Sequence, residues 1–260
     1  MDKFPSVVII GAGKLATQLG KILHKKGFPI LQVYSHTIVS AKLLGEKINV
    51  PYTNELSQII SEAEVYIYAV KDSAIEICIE KTPKNKGLHI HTAGSVPMSV
   101  FAKKKENYGV LYPLQTFSKE RNIDFKKIPI FIEANSKQNE LFLNDFAHFI
   151  SNQVKYADSE QRKNLHLAAV FACNFVNHLY AIAEKLLAEK GIPFDNLLPL
   201  INETATKIQD ISPKDAQTGP AVRFDKNSIQ KHLDALNNMP NEQTIYKLLS
   251  ENIFRYTHEK

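Results

Sequence analysis

Tryptophan is absent from the 260 residues, and cysteine occurs only twice, at Cys78 and Cys173. Neither cysteine belongs to a C-x-x-C pair, so the chain offers no disulfide framework and no thiolate metal cage. Both sit in apolar, helix-like stretches and read as reduced, buried thiols, the usage of a cytoplasmic protein. Internal repeats and low-complexity tracts are missing. The first apolar run begins at Val7 and meets glycine within a few residues, too short for a signal peptide or a membrane span. No membrane span is expected later in the chain. Strong charge of one sign is also lacking: 32 Lys and Arg stand against 27 Asp and Glu, a net charge of +5. That mild basicity favours small anionic ligands. The densest basic run, Lys103, Lys104 and Lys105, has no interleaved aromatics. It reads as a solvated helix end, and nucleic acid is not expected as a partner.

What remains is the composition of a globular protein, 44% hydrophobic and 23% charged, long enough for one large domain or two modest ones. Strand signals fall at Ser6–Ile10, Ile30–Ser35, Val65–Val70, Gly87–His91, Tyr108–Tyr112 and Pro129–Glu133. Helical patterns lie between them, near Lys14–Lys25, Ile38–Lys47, Asn54–Ile60, Ser73–Lys81 and Pro97–Lys105. Such alternation implies parallel pairing through right-handed crossovers. A helix near Gln138–Ser151 and a short strand-like "QVKYA" follow, and from Asp158 onward only helical periodicity remains. The expectation is an α/β fold: a doubly wound Rossmann domain over residues 1–155, then an all-α domain over residues 156–260.

The first strand breaks into "GAGKLA", placing Gly11, Gly13 and Ala16 in the spacing G-x-G-x-x-A. The first glycine allows a tight turn, the second lets a pyrophosphate approach the backbone, and the small third residue packs helix on strand. The following helix would direct its N-terminal N–H groups at the phosphates. Gly11, Ala12, Gly13, Lys14 and Leu15 are therefore candidate dinucleotide contacts. In NAD-binding units a carboxylate about 20 residues later holds the ribose 2′-hydroxyl. Here no Asp or Glu lies between Gly11 and Glu46, and the second strand ends in "YSHT". Ser35 and Thr37 can donate to a 2′-phosphate, and His36 can stack on adenine or pair with the phosphate, so NADP is favoured over NAD.

Ligands in open α/β sheets bind outside the carboxyl ends of the strands. Those ends carry "AVKDSAI", "HTAGSVP" and "YPLQTF", which adds Ala69, Val70, Ala93 and Gly94 to the cofactor set, Ser95 beside the reacting carbon, and Thr116 toward substrate. His89 and His91 form an H-x-H pair without a suitably spaced third ligand, and no metal is expected.

"QRKNLHLAAVFACNFVNHLYAIAEKLL" reads as one long helix. At 100° per residue, Lys163, His166, Asn174, Asn177 and Glu184 share a wedge about 80° wide on an otherwise apolar surface. A helix of that kind is expected to be buried, its polar seam lining a cleft. Further on, "TGPAVRFD" combines a turn at Gly219 and Pro220 with Arg223, a candidate clamp for an anionic substrate.

Together "VVIIGAGKLA", "YSHT", "HTAGSVPMSVF", "YPLQTFS", "RKNLHLAAVFACNFVNHL" and "TGPAVRFD" resemble bacterial Rossmann-like NADP oxidoreductases with a helical C-terminal domain of unknown function. The resemblance extends more distantly to pyrroline-5-carboxylate reductases, deazaflavin-coenzyme-dependent NADP oxidoreductases and β-hydroxyacid dehydrogenases. It implies an NADP-binding domain, a helical domain that makes a homodimer, and an active cleft between them. It does not imply proline synthesis. The G-P-A of the pyrroline-5-carboxylate reductases follows a Gly/Ser-rich segment early in their helical domain, whereas Gly219-Pro220-Ala221 comes late and without it. The expected reaction is NADPH-dependent reduction of a C=O or C=N bond in a small anionic metabolite. His166, as the side-chain type suited to proton transfer near neutrality, would be the general acid, Asn174 would orient the substrate, and Lys163, Asn177, Thr116 and Arg223 would bind it. The alternative is a non-catalytic NADP-binding sensor or partner-binding dimer that kept the fold and lost the chemistry.

Overall fold

The computed structural model describes residues 4–259. Contacts divide the chain into two compact units, Met1–Asn174 and Phe175–Lys260. In the first, apolar runs too short for helices pair into one eight-stranded sheet of order β3-β2-β1-β4-β5-β6-β7-β8. The strands are β1 (Val7–Ile10), β2 (Ile30–Tyr34), β3 (Tyr52–Thr53), β4 (Val65–Tyr68), β5 (Leu88–His91), β6 (Tyr108–Pro113), β7 (Pro129–Ala134) and β8 (Gln153–Tyr156). The helices α1 (Lys14–Lys25), α2 (Ile38–Lys47), α3 (Asp72–Lys81) and α4 (Lys137–His148) connect them. Because side chains alternate along a strand, Val7 and Ile9 enter one core with Ala16, Leu19 and Ile67, while Val8 and Ile10 enter a second with Tyr66, Tyr68 and Ile75. Residues from both faces are needed, so these strands read as unbroken apolar runs.

The order 3-2-1-4-5-6 is the doubly wound arrangement expected from the alternation. One pairing departs from it: β6 and β7 are antiparallel. Their connection contains only a 3-10 turn, Phe125–Lys127, and no helix that could carry a parallel crossover. Two expected helices are likewise only 3-10 turns, Leu56–Gln58 and Met98–Phe101. In the first, the buried Gln32 side chain donates to the Gln58 carbonyl at 3.1 Å and accepts from the Ile60 N–H at 3.0 Å. A side chain from the neighbouring strand thus takes the backbone groups a longer helix would use. In the second, Lys103 adopts φ +65° and ends the turn.

A continuous helix covers Ser159–Ala188. It starts at a capping box in which the Asp158 side chain accepts from the Gln161 N–H and the Gln161 side chain from the Asp158 N–H, satisfying two N-terminal donors. It comprises α5 (Ser159–Ala169), π-helical turns over Val170–Phe175, and α6 (Val176–Ala188). Two expectations fail here. The helix is not buried within its own chain: Leu167, Phe171 and Phe175 are more than half exposed, and Cys173 is exposed rather than buried. By length and composition alone the helix would pass for a membrane span, its 18-residue window averaging a mean hydropathy of 1.4, which for a single helix is weak evidence of one. Its many Ala, Leu, Val and Phe residues give it that hydropathy.

The second unit continues with α7 (Leu198–Lys207), α8 (Lys226–Ala235) and α9 (Pro240–His258). Its buried apolar side chains are small in number, Ala216, Ala221, Leu236 and Met239 among them.

Candidate functional site

Strand β1 runs into Gly11, which holds φ at +129°. A Cβ at that position would strike the Ala69 carbonyl, so the turn can lie against the end of β4 only if residue 11 is glycine. Gly13 is the N-cap of α1, with no side-chain cap and no acid in the first turn. The helix therefore presents its positive end and its first N–H groups without a side-chain partner. Gly11, Ala12, Gly13, Lys14 and Leu15 line a cleft of about 1180 Å³, together with Ser35, His36, Ala69, Val70 and Ala93. A glycine cradle, an uncapped helix start and no acidic side chain at the end of β2 fit a dinucleotide phosphate. Leu56, Ile77 and Cys78 also line the cleft. They were not anticipated, because the turn holding Leu56 read as a helix. Thr37 serves the helix that follows it, for its Oγ1 caps α2 by accepting from the Ser40 N–H at 3.4 Å.

Ala93 lines this cleft, and its neighbour Gly94 abuts His166. A Cβ on Gly94 would come within 2.6 Å of His166 Cγ, so the imidazole occupies the space a side chain would take. The Tyr112 hydroxyl, at the end of β6, lies 3.0 Å from His166 Nδ1. Burial pushes the Tyr112 hydroxyl up to about 12, with Arg162 opposing that rise and Asp72 adding to it. Ser95 donates a short hydrogen bond to the Asp72 carboxylate at the start of α3.

Arg162, one helical turn before His166, is fully buried. Its Nη1 donates to Glu133 of β7 at 2.5 Å, its Nε to the Ala93 carbonyl at 3.2 Å and its Nη2 to the Val96 carbonyl at 2.6 Å. Ser159 donates to Glu133 Oε2 at 2.8 Å and accepts from the Met98 N–H at 3.0 Å. This network fixes the start of the long helix to the loop that carries Ala93 and Gly94. Sequence reading passed over Arg162 and Glu133. The available signals were the i, i+4 spacing of Arg162 and His166 and a lone carboxylate inside the apolar strand "PIFIEA".

His89 and His91 are core residues. Tyr68 Oη lies 2.9 Å from His89 Nδ1, and His89 Nε2 lies 3.0 Å from Asn85 Oδ1. His91 stacks on Phe101 and accepts from the Ala93 N–H at 3.2 Å. Burial lowers both to about 3, with Lys105 contributing at His89 and Arg162 at His91. Among the described residues no group of three or more His, Cys, Asp or Glu could hold a metal. The basic run is occupied too: Lys104 pairs with Glu76 and Glu80, and Lys105 donates to the Thr82 carbonyl.

The remaining candidates are exposed. Thr116 is exposed in the loop after β6, bonded to the Gln115 side chain. Lys163 and Asn174 are exposed in the first unit, Asn177 and Arg223 in the second. The π-helical turns contain Asn174, and they hold more residues per turn than an α-helix. Angles counted at 100° per residue therefore fail from Val170 onward. Beyond Gly219, at φ +109°, Asp225 caps α8 by accepting from the Ser228 N–H.

Residues 6–90 match the family described as NADP oxidoreductase, coenzyme F420-dependent, and residues 128–253 match a domain of unknown function, DUF2520. A Bacteroides fragilis protein assigned as an NADP oxidoreductase is 50% identical, with a TM-score of 0.92, over 97% of this chain and 98% of that one. A Thermotoga maritima protein shares the fold at 19% identity, with a TM-score of 0.79 over 97% and 100% of the two chains. So does a pyrroline-5-carboxylate reductase of Streptococcus pyogenes, at 14% identity and a TM-score of 0.62 over 96% and 98%. No curated protein matches the sequence.

Proposed function

This chain belongs to the NADP oxidoreductases that carry a helical DUF2520 domain after a Rossmann domain, and we propose that it reduces a C=O or C=N bond of a small metabolite beside His166. The observation that carries the reading is the adjacency of Ala93 and Gly94. One lines the dinucleotide cleft, and the next packs against the imidazole, so an acid–base group stands at the margin of the cofactor site.

The α1 N-terminus and the glycine turn hold the pyrophosphate. Ser35 and His36 take the 2′-phosphate, and among the described lining residues Glu55 is the only acid. When bound, the reduced nicotinamide supplies the hydride. Tyr112 holds His166 through Nδ1, which leaves Nε2 to carry a proton toward the substrate atom that gains it. Arg162 and Glu133 keep the loop and the helix in register without touching substrate. Asn174, Lys163, Thr116, Asn177 and Arg223 are the remaining candidates for substrate contacts.

We also propose that the helical domain forms a homodimer. The exposed Leu167, Leu179, Leu198, Leu200 and Leu248 and the sparse core of the second unit favour burial against a second copy. Light scattering should give twice the chain mass. The catalytic reading is tested by screening NADPH oxidation against ketones, aldehydes, keto acids and imines. Turnover supports it; tight NADPH binding with no turnover on any class favours a sensor.

A further inference from the structure

The corner at His166 contains a carboxylate that the mechanism above leaves idle. Asp72, the first residue of α3, is exposed and accepts from the Ser95 hydroxyl. Among the described residues no Lys or Arg forms a salt bridge with it. It belongs to the same corner as the imidazole. Ser95 follows Gly94, which touches His166, and the Asp72 charge acts on the Tyr112 hydroxyl that bonds His166. The guanidinium in this corner cannot offset it, because Arg162 is buried and committed to Glu133 and two backbone carbonyls. Lys71, beside Asp72 in sequence, lines the dinucleotide cleft. Paired charges cancel, and one carboxylate is left over.

Resting on the reading of His166 as proton donor, we propose that Asp72 selects a substrate whose reducible group is a protonated imine. Hydride addition to a ketone builds negative charge on oxygen, which a neighbouring carboxylate opposes. An imine that takes the His166 proton at nitrogen becomes an iminium cation, and a carboxylate within reach favours that charged form. Hydride from NADPH then adds at carbon as the C=N π pair moves onto nitrogen. The products are a neutral amine and oxidised NADP, and His166 regains its proton from solvent. Ser95 in this arrangement holds the Asp72 carboxylate rather than the reacting carbon. The site therefore favours cations at the reducible position and disfavours carboxylates there, whatever charge the rest of the metabolite bears.

The test needs no known substrate. Pyrrolidinium, piperidinium and diethylammonium ions are titrated by calorimetry into NADPH-saturated protein, alongside cyclopentanone and cyclopentanecarboxylate. The ammonium ions should bind most tightly. Asp72→Asn should weaken them at least ~10-fold, the order expected for one charge pair worth about 1.4 kcal/mol, while NADPH affinity and melting temperature hold. A carboxylate that binds better than the ammonium ions, ammonium ions that do not bind, or Asp72→Asn without effect on them would each overturn the proposal. Turnover of 1-pyrroline against cyclopentanone separates this proposal from the reductase reading. Ammonium binding through Asp72 with no turnover of any ketone, aldehyde, keto acid or imine sinks the reductase reading, while the preference of the site for cations stands. Equal turnover of 1-pyrroline and cyclopentanone, unchanged in Asp72→Asn, sinks the charge selection alone.

Discussion

The Tyr112 hydroxyl sits 3.0 Å from Nδ1 of His166, and it can donate to that nitrogen or accept from it according to the protonation of the ring. Burial pushes its ionisation up to about 12, so it keeps its proton at every pH where the protein works. Among the described residues it has no second hydrogen-bond partner. With a neutral ring the hydroxyl donates to Nδ1 and Nε2 carries the proton; with the cationic ring that serves as the acid, the hydroxyl oxygen accepts from the Nδ1 N–H. Tyr112→Phe should lower turnover by about 10-fold, less than the ~10²–10⁴ of losing the acid itself, because the imidazole is no longer held in place. NADPH affinity should not change. An unaltered rate in the variant would show that the pair does not position His166.

The end of β2 offers Ser35 and His36 to the cofactor and no carboxylate from that strand. NADPH should bind at least ~10-fold more tightly than NADH, a difference of about 1.4 kcal/mol. Ser35→Asp should erase the preference by repelling the 2′-phosphate. Equal affinities for the two cofactors in the native protein would contradict this assignment.

Arg162 and Glu133 form a buried ion pair, the arginine side chain 1% and the glutamate 9% exposed. Arg162→Met leaves the carboxylate without its counter-charge and should cost about 3–5 kcal/mol in chemical denaturation. Adding Glu133→Leu removes the orphaned charge and should recover much of that loss. A single variant as stable as the native protein would mean that the pair is not what fixes the helix to the loop.

Acid should destabilise the first unit through His89 and His91. Both are held near 3 in the fold, below the value of about 6.5 in an unfolded chain. A depressed pKa contributes stability that is present above the unfolded value and lost as pH falls toward the folded one. Between those limits the unfolded state binds two more protons, a slope of up to about 2.7 kcal/mol per pH unit. Urea midpoints measured from pH 7 to pH 4 should fall steeply, and His89→Gln should make the fall shallower. A flat profile would place both imidazoles in contact with water.

The Rossmann sheet was legible because its signals are local. β1 and the glycine turn lie within a few residues of each other, and so does the absence of acid after β2. Part of the cleft lining followed from strand ends alone, Ala69, Val70 and Ala93 included. What escaped depends on tertiary contacts. Gln32 removes a helix by bonding Gln58 and Ile60. Arg162 is polar in sequence and fully buried in the fold because Glu133 comes from a strand far away. The expected seam of Lys163, His166, Asn174 and Asn177 assumed a uniform helix, and the π-helical turns at Val170–Phe175 break the count. His166 was singled out for its residue type and its place on that seam; its contacts with Tyr112 and Gly94 were visible only in three dimensions.

The most direct test of proton donation by His166 to an NADPH-dependent reduction is the rate of NADPH oxidation by His166→Ala, per folded molecule, on any compound the native protein reduces. The rate should fall by ~10²–10⁴, as for loss of a general acid, with NADPH affinity within twofold, roughly the scatter of additive distant effects. A variant that loses stability but oxidises NADPH at the native rate would show that the imidazole only fills the space beside Gly94.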